Sequence, residues 1–160
     1  MEEKDENLEL EPVNMYVLFA KMFAHITREV EKACGDKGVE AVREGVRPFG
    51  EERGRDIARR AKAMGHDVTP EFYLSCYDMG RSDYFTSEDQ VNKETVEQNF
   101  TQCVFAEQWM KDHDEAYGIH YCQMIDPAIA KGYNEEFECI HDKHFFKDGC
   151  CHFLFQMKKD

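Results

Sequence analysis

The spacing of hydrophobic residues changes along this chain, from a helical period at the start to a strand period near the end. In residues 12–33 the large apolar side chains recur three and four positions apart, at Met15, Leu18, Phe19, Met22, Phe23, Ile26 and Val30. Near the C-terminus, Cys151, Phe153 and Phe155 alternate with Cys150, His152 and Leu154, as the two faces of a strand do. Separate segments with these two periods predict an α+β domain, with N-terminal helices followed by a small antiparallel sheet with flanking helices.

Capping and helix-breaking residues set the predicted limits of each element. In the first half we predict helices over 12–33 and 36–45, a third helix that ends at Met64, and a short one over 70–76. Pro48 is expected to separate the second helix from the third, because the residue before a proline avoids the helical region. Residues 77–92 are polar and turn-rich, which is typical of a loop or an irregular strand.

The second half is predicted to mix strands and helices. A strand over 95–103 should be followed by helices over 104–112 and 119–130, the latter interrupted by Pro127. Strands over 137–141 and 150–157 should follow, joined through a turn near residues 147–149.

Length and charge limit the classes of partner. The 160 residues suit one domain over 12–160, preceded by a flexible acidic tail over 1–11. Twenty basic and 33 acidic residues give a net charge of −13, which argues against nucleic acid and anionic membranes as partners. The N-terminus lacks a secretory signal pattern, and seven cysteines form no disulfide framework, so we expect reduced thiols in the cytoplasm. A small-molecule substrate is the expected partner, and a homo-oligomer is left open.

Cys103 occupies the predicted junction of a strand and a helix. A thiol there meets the positive end of the helix dipole and free N–H groups, which lower its pKa and favour the thiolate. The alternative is a small buried residue at a junction, because free cysteine is among the most buried residue types.

Cys122 and Asp126 are four residues apart, so a continuous helix would place both on one face. The carboxylate could then hold a water or orient a histidine. Alternatively, Asp126 caps a new short helix that begins at Pro127, which would turn its carboxylate toward backbone N–H groups.

Histidines and cysteines concentrate in the last third of the chain. The histidines are His113, His120, His141, His144 and His152, and the cysteines are Cys103, Cys122, Cys139, Cys150 and Cys151. Their spacing fits no closed zinc module, so the expectation is a metal-free protein. If zinc is bound, the expected ligands are Cys103, Cys122, His144 and Cys151.

Glycines and arginines concentrate between residues 43 and 60. Gly45, Gly50 and Gly54 are interpreted as marks of helix boundaries rather than as a phosphate-binding loop. The arginines are expected to pair mostly with neighbouring acidic residues on a solvated helix face. Arg47 or Arg53 could instead bind a substrate carboxylate through the guanidinium fork.

Five short pieces, in order, resemble the L-2-amino-thiazoline-4-carboxylate hydrolase-like family. These pieces are Arg47 to Gly54, then Cys103, then Tyr121-Cys122 with Asp126, then Gly132-Tyr133-Asn134, and last Asp148 with Cys151 and Phe153. The chain departs from the family pattern at Val104, where a proline is usual, and at Lys147, where a glycine is usual.

The resemblance implies a hydrolase that opens a small cyclic amidine or thiazoline and gives a carbamoyl product. It implies Cys103 as the nucleophile, with Cys122 as the competing candidate, and Asp126 with His120 or His144 as the groups that move protons. It also implies Tyr121, Asn134 and Cys151 beside the arginines as substrate-binding residues.

The order of elements also resembles ligand-sensing domains related to vinyl-4-reductase. That resemblance implies a zinc-containing module that binds a small molecule without catalysis. Stoichiometric zinc after purification would favour the sensor, and reactive thiols in a metal-free protein would favour the enzyme.

Overall fold

A computed structural model of the chain describes residues 12–80 and 82–159. Its elements are α1 (Met15–Cys34), α2 (Asp36–Ala63), α3 (Pro70–Tyr73), β1 (Phe85–Val91), β2 (Thr95–Cys103), α4 (Val104–Lys111), α5 (Glu115–Tyr133), β3 (Phe137–Lys143), α6 (Phe145–Asp148) and β4 (Cys151–Met157). This order confirms an α+β domain with helices first and an antiparallel sheet after them. The tail predicted over 1–11 lies outside the described residues.

The four strands form one antiparallel sheet in the order β1-β2-β4-β3. Strand β1 lies within the segment predicted as a loop or irregular strand, and its register with β2 shifts between Thr86 and Ser87. The hairpin between them is closed by Asn92, whose side-chain oxygen accepts hydrogen bonds from two backbone N–H groups of the turn. In β4, Cys151, Phe153 and Phe155 are buried on one face, as the alternating pattern predicts.

Both prolines that were expected to interrupt helices lie inside continuous ones, so those two predictions are wrong. Helix α2 passes through Pro48 and α5 passes through Pro127. An interior proline removes one hydrogen bond and costs about 3 kcal/mol, which local sequence alone would count against the helix. Here α2 and α5 pack against each other, and the buried side chains along them, such as Ile57 and Ile129, offset that cost.

Gly45, Gly50 and Gly54 all lie inside α2, so their interpretation as helix boundaries is wrong. Gly50 and Gly54 instead allow the close packing of α2 against α5. A Cβ atom on Gly54 would stand 2.1 Å from the carbonyl oxygen of Ile129, and one on Gly50 would stand 2.6 Å from Cβ of Ala128. On α5, a Cβ atom on Gly132 would stand 2.2 Å from the carbonyl oxygen of Glu51. The family-like stretch around residues 47–54 and the later Gly132 are therefore two sides of one helix contact.

Helix α1 buries only part of the apolar set expected to form its core face. Phe19 and Phe23 pack against the core, where their rings contact Tyr121. The buried Trp109 fixes α1 by donating a hydrogen bond from its Nε1 to the carbonyl oxygen of Ala20, at 2.8 Å. Of the remaining side chains of the pattern, Val30 is half-buried, and Met15, Leu18, Met22 and Ile26 are exposed.

The helices of the described residues include none with the length and apolar character needed to cross a bilayer. The cytoplasmic location and the homo-oligomer stay predictions.

Candidate active site

A cavity of about 410 Å³ lies between the helices and the sheet. That volume is within the usual range for small-molecule sites. The helices and the β2–α4 junction contribute Arg53, Cys103, Tyr121, Cys122 and Asp126 to its wall. The opposite side, from β3, α6 and β4, contributes His141, His144 and Cys151. Six further aromatic side chains complete much of the remaining lining, so the cavity is largely apolar with a few convergent polar groups.

Cys103 is the last residue of β2 and the N-cap of α4, as the sequence predicts. Its expected low pKa is wrong, because burial raises the pKa of this thiol to about 11. The backbone N–H groups of Ala106 and Phe105 act in the opposite direction but do not outweigh burial. Cys103 is therefore a neutral thiol at pH 7, and it needs a base to become a thiolate.

Cys122 and Asp126 lie on the same face of α5 and both line the cavity. The alternative in which Asp126 caps a new helix is wrong, because α5 continues through Pro127. Burial raises the pKa of Asp126 to about 6, with Arg53 acting in the opposite direction. No hydrogen bond from a residue in 12–80 or 82–159 reaches this carboxylate, so at pH 7 it faces the cavity as an ionised group without a protein partner.

Burial also raises the pKa of the other two thiols of the cavity. Burial raises the pKa of Cys151 to about 12. Burial also raises the pKa of Cys122 well above the ordinary value, and negative charge at Cys103, Cys151 or Asp126 would raise it further. Of these three thiols, only Cys103 has two backbone N–H groups that act against the effect of burial.

Arg53 reaches the cavity, but its charge is largely compensated. Its Nε and Nη2 atoms each donate a hydrogen bond of 2.8 Å to the carboxylate of Asp78. The pair is mostly buried, with 14% and 16% of the two side chains exposed. None of the hydrogen bonds within the described part of the chain uses Nη1, which leaves its two N–H donors for a ligand.

Two histidines and a cysteine converge on the sheet side of the cavity. One nitrogen of His141, one nitrogen of His144 and Sγ of Cys151 all lie within 4.8 Å of one another. The ring of His141 stacks on Phe153 at 4.1 Å between centroids. Burial lowers the pKa of His141 to about 4, and the neighbouring His144 acts in the same direction.

His144 is held at the start of α6 by two hydrogen bonds. The carboxylate of Asp148 accepts one from the backbone N–H of His144 at 2.8 Å, and the backbone N–H of Phe146 donates to Nδ1 at 3.3 Å. Because Nδ1 accepts, the proton of the neutral ring lies on Nε2. Burial lowers the pKa of His144, so the neutral ring is the form present at pH 7.

Three of the site residues predicted from sequence do not line the cavity. Arg47 is 48% exposed and pairs with Glu44 on the surface of α2. His120 lies 3.3 Å from Arg43 outside the cavity, so His144 is the histidine of the predicted pair that lines it. Asn134 ends α5, where its side chain donates to the carbonyl oxygen of Val68 and accepts from the N–H of Glu136.

Sequence reasoning missed the roles of His141 and Asp78. Strand alternation places His141 on the same face as Phe137 and Cys139, but its approach to Cys151 depends on the β3–β4 register, which shifts between His141 and Lys143. Asp78 follows Arg53 by 25 residues in a polar segment, and no local pattern predicts that pair.

A family model described as L-2-amino-thiazoline-4-carboxylic acid hydrolase matches residues 15–155. Neither the curated proteins nor the solved structures contain a significant match to the chain. The match to the family model covers every helix and strand of the domain, apart from the last residues of β4. The chain therefore belongs to the L-2-amino-thiazoline-4-carboxylic acid hydrolase family.

Proposed function

We propose that this protein hydrolyses a small cyclic amidine of the 2-amino-thiazoline-4-carboxylate type in the cavity. The observation that carries the proposal is Asp126, an ionised carboxylate that faces the cavity without a protein partner beside the thiols of Cys103 and Cys122. A protonated amidine presents two parallel N–H groups, and a carboxylate accepts such a pair in bidentate fashion. The same interaction would hold the amidine carbon near a nucleophile.

The rest of the cavity suits the other parts of such a substrate. Nη1 of Arg53 offers a donor for the substrate carboxylate, while Asp78 keeps the guanidinium in place. The apolar wall, which includes Tyr121 and Phe153, suits a small ring. Recognition thus combines a carboxylate for the cationic end of the ligand and one guanidinium donor for its anionic end.

In the first step, the sulfur of Cys103 bonds to the amidine carbon, and the π electron pair of the C=N bond moves to nitrogen. The thiol proton of Cys103 passes to Asp126, so that a neutral tetrahedral adduct forms. Asp126 can serve as this base because its pKa of about 6 leaves it ionised at neutral pH. The backbone N–H groups of Phe105 and Ala106 stabilise the charge that develops on the sulfur.

In the second step, a nitrogen lone pair re-forms the C=N bond while the bond between the amidine carbon and the ring sulfur breaks, and the electron pair of the broken bond stays on that sulfur. Protonated Asp126 returns its proton to the departing sulfur, and Nε2–H of His144 donates a hydrogen bond to it. Water then adds to the carbon of the covalent adduct, again with Asp126 as the base. A C=O bond then forms as the bond to Cys103 breaks, and Cys103 leaves with the proton that Asp126 returns. The hydroxyl proton, which balances the one that the protonated amidine brought, goes to solvent, and the product carries a carbamoyl group.

Two single substitutions separate the candidate nucleophiles. Cys103→Ser is expected to lower kcat/KM on the order of 10²-fold, because water can still attack directly with Asp126 as base, and to abolish a trapped adduct detectable by intact mass. Cys122→Ser should keep the adduct, and the exposed Cys34→Ser is the matched control. Unchanged turnover in both Cys103→Ser and Cys122→Ser would rule out covalent catalysis.

The proposed base also predicts the pH profile. Asp126 must be ionised to accept a proton, and its pKa is about 6. We therefore expect kcat/KM to be half-maximal near pH 6, to level off about one pH unit above it, and to approach a tenfold fall per pH unit below about pH 5. A profile that stays level down to pH 4.5 would exclude Asp126 as the base.

A further inference from the structure

We propose that His141, His144 and Cys151 form a binding site for a thiophilic divalent cation of the zinc class. Their three donor atoms lie within 4.8 Å of one another on the sheet side of the cavity. Ligands on a tetrahedral zinc are about 3.5 Å apart, so the three side chains need to close by roughly 1 Å. Neither the family match nor the proposed hydrolysis requires this site.

Unsatisfied nitrogen atoms support the assignment. The Nε2 atoms of His141 and His144 are both buried, and neither has a hydrogen-bond partner among the described residues. Buried nitrogens in this state are rare and unfavourable in folded proteins. A cation between the two rings would satisfy both atoms with one ligand.

The site is also held by rigid elements. Cys151 and Phe153 lie on the same buried face of β4, and Phe153 pairs with His141 across the β3–β4 ladder and stacks on its ring. Asp148 fixes the backbone of His144 at the start of α6.

This ligand set differs from the zinc ligands expected from sequence. His144 and Cys151 belong to both sets, whereas His141 takes the place of Cys103 and Cys122. Three protein ligands leave a fourth position open, and all three line the cavity, so that position can face a bound small molecule. Asp126 is a further favourable charge for a cation in this cavity.

Binding at His144 has one chemical requirement. Nε2 can coordinate a metal only if the ring proton moves to Nδ1, which ends the long and therefore weak hydrogen bond from Phe146. The metal-bound ring then lacks the Nε2–H group that assists the departing sulfur in the proposed hydrolysis. Nε2 of His144 can therefore either bind the metal or donate a hydrogen bond, but it cannot do both at once.

Cobalt titration of the chelator-treated full chain tests the site. We expect one equivalent of Co²⁺ to give tetrahedral visible bands and a thiolate-to-cobalt charge-transfer band, and zinc to displace it. Cys151→Ser should abolish the charge-transfer band, and His141→Gln should weaken Co²⁺ binding on the order of 100-fold. Cys150→Ser, at the adjacent cysteine outside the cluster, is the matched control and should keep both.

Two results of the cobalt titration would contradict the proposed cation site. Absence of tetrahedral cobalt bands in the wild-type protein excludes it, and this result does not depend on whether any variant folds. A charge-transfer band that survives Cys151→Ser but disappears in Cys103→Ser assigns the metal to other ligands. Because the readout needs no turnover, a protein that binds Co²⁺ as expected but hydrolyses no cyclic amidine would contradict the proposed function alone.

Discussion

Replacing Asp126 by asparagine is expected to lower kcat/KM on the order of 10³- to 10⁴-fold while stabilising the folded protein. Asparagine has nearly the same shape but cannot accept a proton, and proton transfer by a positioned group is worth about 10²- to 10⁴-fold. Its amide group also presents N–H donors to the N–H groups of an amidinium, so substrate binding weakens as well. The loss should therefore exceed that of Cys103→Ser, which leaves the base in place.

The increase in stability follows from the pKa of Asp126. Burial raises that pKa from 3.8 to about 6, so the folded state disfavours the ionised form that is present at pH 7. The folded-state pKa lies above the unfolded one, so the folded state gains stability as the pH falls from about 6 to 4 and loses it as the pH rises. Asparagine removes this cost, which is on the order of 1–3 kcal/mol, together with its pH dependence.

Kinetics and urea unfolding of Asp126→Asn at pH 5 and pH 7 measure both effects. Asp56→Asn makes the same chemical change on the surface of α2, where Asp56 pairs with Arg60. The control should keep full activity and leave the free energy of unfolding nearly unchanged, because solvent screens this exposed ion pair. An Asp126→Asn protein that loses stability and activity together would indicate a structural role for this carboxylate instead.

Local sequence patterns predicted the elements that pair with near neighbours. Strand β2 spans Thr95–Cys103 as expected, and α4 follows it directly, so Cys103 stands at the predicted junction. Alternation along β4 identified its buried face. These features depend on period and on adjacent residues, which a single sequence contains.

Features that depend on distant partners were not predictable in this way. Pro48 and Pro127 lie inside helices because α2 and α5 pack against each other, and that contact joins segments about 80 residues apart. The thiol pKa of Cys103 was expected from the helix end, but burial under the surrounding elements decides its direction. His141 approaches Cys151 because of the β3–β4 register, and the charge of Arg53 is compensated by Asp78. No local sequence pattern indicates either contact.

The same long-range contact between α2 and α5 makes Gly54 the position where one methyl group should do most harm to the fold. In Gly54→Ala the new Cβ would stand 2.1 Å from the carbonyl oxygen of Ile129 and 2.5 Å from the backbone nitrogen of Tyr133. Both are backbone atoms and cannot rotate away, so the two helices must separate. We expect a loss of about 3 kcal/mol or more in the free energy of unfolding. Since Arg53 and Asp126 lie on these helices, activity should fall as well.

Gly45→Ala is a control on the same helix that should change the free energy of unfolding in the opposite direction. A Cβ atom there meets nothing within 4 Å, so only the helix propensity changes. Alanine is favoured over glycine in a helix by about 1 kcal/mol, and Gly45→Ala should stabilise the protein by up to that amount. Urea unfolding of the two variants measures the difference directly. If both variants change the free energy of unfolding in the same direction by similar amounts, the close contact between α2 and α5 at Gly54 is not the reason for a glycine there.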